Sequence, residues 1–207
     1  VFRELCLLSG GILPRQHPGP GDTVLIDGSL TEAVLSMYWA DYRKDSRKAK
    51  GHFGFDPSSG IPSAIFLTAG KGAERPFVSQ ILSEGQTGVM DRGYQCHKLF
   101  DRLRKEGKSF VCRIRNNTKM ECLTEYCVKP DSYLLCDAIV NLGTAGVNRT
   151  EKPVRAVGYR IGRTEYFVAA DRYDLTAEQI ALIYKLRWDI EKFFQWWKKH
   201  LKVYHLT

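Results

Sequence analysis

Asp27, Asp91 and Glu191 are the residues of this 207-residue chain whose type and setting could do chemistry. Each aspartate ends a short apolar run, VLID in one case and GVMD in the other, and Glu191 stands in YKLRWDIEKFFQWWKKHLK, crowded with aromatic and cationic side chains. Carboxylates drawn from separate elements can hold two divalent ions, and two ions about 3.5 to 4 Å apart serve the attacking and leaving oxygens of an in-line displacement at a phosphodiester. Hard oxygen ligands suit Mg²⁺ or Mn²⁺. Plainer readings compete. Asp-Gly after a strand is commonly a turn, and a glutamate between Arg187 and Lys198 is commonly an ion-pair partner. The acids alone leave both open.

The element that must position Glu191 is the last helix. Thr176 and Gln179 have the spacing of a capping box, and apolar periodicity runs from Ile180 to Leu201. At 3.6 residues per turn, Tyr184, Arg187, Glu191 and Lys198 fall on one face. Ile183, Leu186, Ile190, Phe193, Trp197 and Leu201 form a neighbouring stripe fit to pack on a sheet. Lys185, Lys192 and Lys199 make a third stripe suited to a phosphate backbone.

Upstream, DTVLIDGSL reads as a buried strand with Asp27 at its C-terminal end, and TEAVLSMYWADYRK as a helix capped by Thr31. HFGFDPSSGIPSAIFLTAG gives two strands around a Pro/Gly/Ser turn, and ERPFVSQILSEG a short helix closed by Gly85. TGVMDRGY is a strand ending at Asp91, CHKLFDRLRKEGK a helix, and SFVCRIR a strand with Arg113 near its end. Residues 116–170 are strand-like throughout. The order predicts an α/β fold of mixed strands followed by strand and helix alternation. The Gly/Pro-rich opening reads as loop, and its start without Met suggests a piece of a longer protein.

Composition narrows the partner. Lys and Arg number 31 against 23 acids, a net charge of +8, which favours an anionic partner such as nucleic acid. No stretch approaches the roughly 20 apolar residues of a membrane helix, and no signal-peptide order opens the chain. Six scattered cysteines are unlike a disulfide framework and match no common paired zinc pattern.

The strand acid in VLIDGSL, the strand acid in VMDRGY and the Tyr184, Arg187, Glu191, Lys198 spacing together resemble the DDE transposases of the IS4 insertion-sequence family; KAKGHFGFD and KHLKVYHL are similar to it as well. The resemblance implies a ribonuclease H-like mixed sheet flanked by helices, with a β-rich insertion before the final catalytic helix. The expected layout is a linker or the end of an N-terminal segment at 1–21, the first part of the core at 22–115, the insertion at 116–170 and the last core helix at 171–207. It implies Asp27, Asp91 and Glu191 as metal-binding catalytic acids for two Mg²⁺ or Mn²⁺ ions, with Tyr184, Arg187, Lys198 and Arg113 on DNA. The implied activity is cleavage at transposon ends, through a hairpin intermediate, and joining of the 3′-hydroxyl to target DNA. The implied setting is a homodimer on DNA in the bacterial cytoplasm, associated with the nucleoid. Rival readings are a ribonuclease H-like nuclease without strand transfer and a domesticated DNA-binding protein.

Weaker candidates have structural readings. Trp188, Trp196 and Trp197 could stack on bases, but a tryptophan in an amphipathic helix is more often core, Trp197 above all. GKGAERP at 70–76 lacks phosphate-loop spacing and reads as a turn, and His52, His97, His200 and His205 read as structural hydrogen-bonding residues.

Overall fold

The computed structural model describes residues 22–32, 38–43 and 46–200. The chain divides into two compact units. Unit 1 takes in Val24–Ile81 and the stretch from Leu186 onward, and unit 2 takes in Leu82–Lys185.

Unit 1 is built on β1 (Thr23–Glu32), β2 (Asp41–Arg43), β3 (Ser46–Asp56) and β4 (Ile61–Ala69). β3 is central, antiparallel to β1 on one edge and to β4 on the other, with β2 paired at its start. Neighbouring residues on a strand face opposite ways, so His52 and Phe53 send their rings to opposite sides of the sheet. His52 stacks at 4.3 Å on Phe77 of α1 (Arg75–Ile81), whereas Phe53 packs edge-on against Phe194 at 5.0 Å and Trp197 at 5.2 Å on α4 (Trp188–His200). The sheet of unit 1 thus carries one helix on each face.

Two expectations fail here. Asp27 does not end its strand but sits in the middle of β1, and Thr31, expected to cap a helix, pairs with Ala49 as strand. Asp41–Arg43 is also strand, so both described ends of the segment expected as a helix from Thr31 to Lys44 are extended; 33–37 and 44–45 lie outside the described residues. The cause is tertiary. The eleven-residue β3 offers ladder partners as far as Glu32, which outweighs local helical periodicity.

Unit 2 holds β5 (Thr87–Met90) parallel to β6 (Ser109–Arg113), joined through a 3₁₀ turn at Arg92–Tyr94 and the crossover helix α2 (His97–Lys105). Phe100 of α2 stacks on Phe110 of β6 at 4.2 Å, and Leu99, Phe100 and Leu103 are the helix's buried face. Gly107 ends the helix with φ +66°, where Lys108 N–H reaches back to the Leu103 carbonyl, a closure that favours glycine. The β-rich stretch forms β7 (Met120–Glu125), β8 (Leu134–Leu142), β9 (Val154–Ile161) and β10 (Thr164–Ala170), all antiparallel. β10 bonds directly to β6, so these strands continue the β5–β6 sheet in the order β6-β10-β9-β8-β7.

The final helix differs from its expected form. It is two helices, α3 (Ala177–Leu186) and α4, separated at Arg187. The capping box at the head of α3 is formed in both directions, Gln179 N–H to Thr176 Oγ1 at 3.2 Å and Thr176 N–H to Gln179 Oε1 at 2.8 Å. No proline or glycine stands at the break. What stands there is a buried guanidinium bound to two carboxylates.

Candidate active site

In unit 1, β1 and α4 bring together four of the expected site residues. Arg187 Nη1 lies 2.7 Å from Glu191 Oε1 and 3.9 Å from Asp27 Oδ2, with the arginine side chain only 8% exposed. The Asp27 carboxylate is oriented by the N–H of Gly28, which donates to Oδ1 at 2.8 Å. Burial pushes the Asp27 carboxyl from its ordinary 3.8 up to about 6; Glu74 and Glu191 push the same way, while Gly28 N–H and Arg187 oppose them. Lys198 is the fourth member. Burial holds its ammonium below the usual lysine range, with Lys48 adding to that and the negative charge of Asp27 working against it.

This arrangement gives Arg187 a different immediate task from a simple phosphate grip. Its guanidinium is the counter-charge of both carboxylates, of which Asp27 is the one that desolvation makes reluctant to carry charge, and the i, i+4 spacing to Glu191 is what lets one side chain span both. Two hard oxygen donors that need a positive charge between them fit a divalent cation by the chemistry of the donors.

In unit 2, Asp91 follows β5 and opens the 3₁₀ turn. Tyr184 is 1% exposed and donates its hydroxyl to Asp91 Oδ1 at 3.1 Å, so the ring is core and the hydroxyl orients the acid. Arg113, the last residue of β6, lies 3.9 Å from the same oxygen and sits over the Tyr166 ring at 4.8 Å. Asp91, Tyr184 and Arg113 therefore form one cluster, as Asp27, Arg187, Glu191 and Lys198 form another. Within neither unit do three His, Cys, Asp or Glu side chains among the described residues converge as a ready metal cage.

Some contributors escaped the sequence. Glu74 lies in the 70–76 segment read as a turn, bridges Lys50 at 3.1 Å and approaches Gly28 so closely that a Cβ there would lie 2.9 Å from its Oε1. Nothing local marks it, because its neighbours come from β1 and β3. Arg92 and Arg115 line an open cleft with Asp91, and Arg92 could have been noted from its adjacency to the acid. Trp188 and Trp196 are about half exposed, with Trp188 beneath the Arg187 guanidinium at 5.5 Å.

Residues 18–207 match the family model described as the transposase DDE domain. The chain belongs to the DDE transposase family. Among its relatives, a Sinorhizobium fredii protein assigned as transposase y4zB is 30% identical, covering 98% of this chain and 59% of that one. A Synechocystis protein assigned as transposase for insertion sequence element IS4SA is 28% identical over 100% of this chain and 60% of its own length. A Geobacillus stearothermophilus protein assigned to element IS5377 is 26% identical over 84% and 47%. This DDE domain thus spans about half to three-fifths of the length of these relatives. Among solved structures, piggyBac transposase in a synaptic complex with hairpin DNA superposes with a TM-score of 0.51 at 10% identity, over 86% of this chain and 41% of that one. The likeness fixes the fold of the DDE domain as mixed α/β and ribonuclease H-like. DDE domains as a class use divalent metal ions and act on DNA. No helix among the described residues is long and apolar enough to cross a membrane.

Proposed function

We propose that this domain cleaves DNA at transposon ends and joins the freed 3′-hydroxyl to target DNA, with Asp27, Asp91 and Glu191 as the metal-binding acids. The observation that carries this reading is the meeting of Asp27 and Glu191 on one buried guanidinium, with the Asp27 carboxyl raised to about 6. A pair of acids so placed binds a cation in preference to standing as two bare charges. Bound Mg²⁺ or Mn²⁺, two ions in the proposal, supplies Lewis-acid polarisation of the phosphoryl oxygens and acidifies water.

The chain's own groups do the rest. Gly28 N–H and Arg187 hold the two acids of unit 1 in fixed orientation, and the Tyr184 hydroxyl does the same for Asp91. Arg113 and Lys198 place positive charge beside the acids, where it can meet phosphate oxygens without removing the carboxylates. Arg187 reaches DNA only by loosening its hold on Glu191. Residues 116–170 are the insertion and 171–207 the closing catalytic segment in this reading. The active form is two copies on DNA, at work in the bacterial cytoplasm at the nucleoid.

The test is cleavage of the cognate transposon end. The parent should nick it only with Mg²⁺ or Mn²⁺, and Asp27→Asn, Asp91→Asn and Glu191→Gln should bind it and leave it intact. Near-parental cutting by a folded variant removes that residue from the acid set. Cleaved ends that never become joined to target DNA would make the protein a nuclease instead.

A further inference from the structure

Beside Asp91 lies an open cleft of ≈ 580 Å³ lined by Asp91, Arg92, Gly93, Arg115, Asn116 and Asn117. We infer that this cleft is a subsite for the backbone of one DNA strand, and that Gln95 is the positioning residue that sets its walls. The inference rests on the transposase reading and extends it to residues outside the DDE acids and their cationic partners.

Arg104, Arg149, Arg155, Arg160, Arg172 and Arg187 each bind a carboxylate and are accounted for structurally. Arg92 and Arg115 are exposed, and neither guanidinium has an ion pair among the described residues. The acid they share the cleft with, Asp91, already receives the Tyr184 hydroxyl and faces Arg113. Two uncommitted planar cations on the walls of one cleft match the phosphate oxygens of a strand, which guanidinium binds in bidentate fashion. Asn116 and Asn117 add amides able to donate and accept, the chemistry needed by sugar or base edges.

Gln95 ties both walls. Its backbone N–H bonds the Arg92 carbonyl at 3.2 Å, closing the 3₁₀ turn. Its side-chain Oε1 accepts from the Arg115 N–H at 2.8 Å, and its Nε2 donates to Thr118 Oγ1 at 3.0 Å. Thr118 N–H in turn closes the 115–118 turn on the Arg115 carbonyl at 3.0 Å. One amide therefore fixes the turn carrying Arg115, Asn116 and Asn117 against the segment carrying Asp91 and Arg92. Polar side chains bridging two loops at the surface are weak contributors to global stability but strong determinants of loop position.

The experiment is equilibrium binding of the whole chain to a random-sequence duplex and to a single-stranded oligonucleotide, in EDTA, across a salt series. Arg92→Ala/Arg115→Ala should lower the slope of log K against log salt by about two phosphate contacts. Gln95→Met should lower it by about one, with little change in melting temperature, and should add nothing in an Arg115→Ala background. Lys105→Ala/Arg160→Ala, with the same change in net charge, should leave the slope at the parental value. The cleft assignment is overturned if the Arg92/Arg115 pair titrates like the parent, or if the control pair shifts the slope as far. Additive effects of Gln95→Met and Arg115→Ala would overturn the positioning role alone. Both arginines are exposed, so that variant reads out even if Gln95→Met were poorly folded. A parent that binds neither probe would bring down the transposase reading and this inference with it, an outcome distinct from a parent that binds and variants that match it.

Discussion

Arg187 faces inward. A sequence reading assigns it to DNA with Lys198, since both share a helical face with Glu191, but the distances make it first the counter-charge of Asp27 and Glu191. Residue type and the Tyr184, Arg187, Glu191, Lys198 spacing single out the three acids as candidates; the pairing of Arg187 with two of them is not legible there, because it depends on which strand lies under the helix. A titration follows from the same geometry. The folded Asp27 carboxyl, at about 6 against an ordinary 3.8, holds its proton longer than the unfolded chain does. Its contribution is therefore most favourable below pH about 4 and is lost as pH rises through about 6. Asn at this position keeps the acceptor for Gly28 N–H and has no charge to bury. Melted without divalent ions, Asp27→Asn should exceed the parent in stability by on the order of 2 kcal/mol above pH 6, and the two should converge toward pH 4. Parallel curves would mean that burial of this carboxylate costs nothing.

Elements were legible where their signals are local. The capping box of Thr176 and Gln179 is found as expected, and Thr176→Ala should lower stability by about 1 kcal/mol in chemical denaturation without altering the denaturant slope. No loss would mean that the head of α3 is held by packing alone. The strand–helix–strand passage through β5, α2 and β6 was equally readable, from its acid, its amphipathic helix and its turn. The extension of β1 through Thr31 and Glu32 was not. Their ladder partners, Ala49 and Lys48, lie beyond the intervening chain, and periodicity within a window carries no information about them. The break at Arg187 is partly of the same kind, since one of the two carboxylates on its guanidinium, Asp27, comes from β1, far away in sequence, while the other, Glu191, is local.

At the scale of the whole molecule, a net charge of +8 and clusters of cations beside the acids imply binding dominated by phosphate contacts. Affinity of the chain for an unrelated duplex should fall steeply between low and physiological salt, with little preference among sequences, as read by fluorescence anisotropy. Strong, salt-insensitive preference for one short sequence would contradict that. The α/β class was visible in the order of elements, whereas the division into two units was not, because unit 1 resumes only at Leu186 after unit 2 has run its course. That discontinuity has a consequence for synthesis. On the ribosome, β1, β3 and β4 emerge before the body of unit 2, yet Phe53 must wait for Phe194 and Trp197 to cover it, and those arrive after every residue of unit 2. Unit 2, continuous from Leu82 to Lys185 apart from a short lead-in, can close while still tethered; unit 1 cannot. The nascent chain therefore carries an uncovered aromatic sheet face while the whole of unit 2 is made, a surface for chaperone capture and for premature association with its own neighbours. Completion of α4 both closes unit 1 and delivers Glu191, so a chain truncated before that point should be insoluble as well as unable to cut DNA.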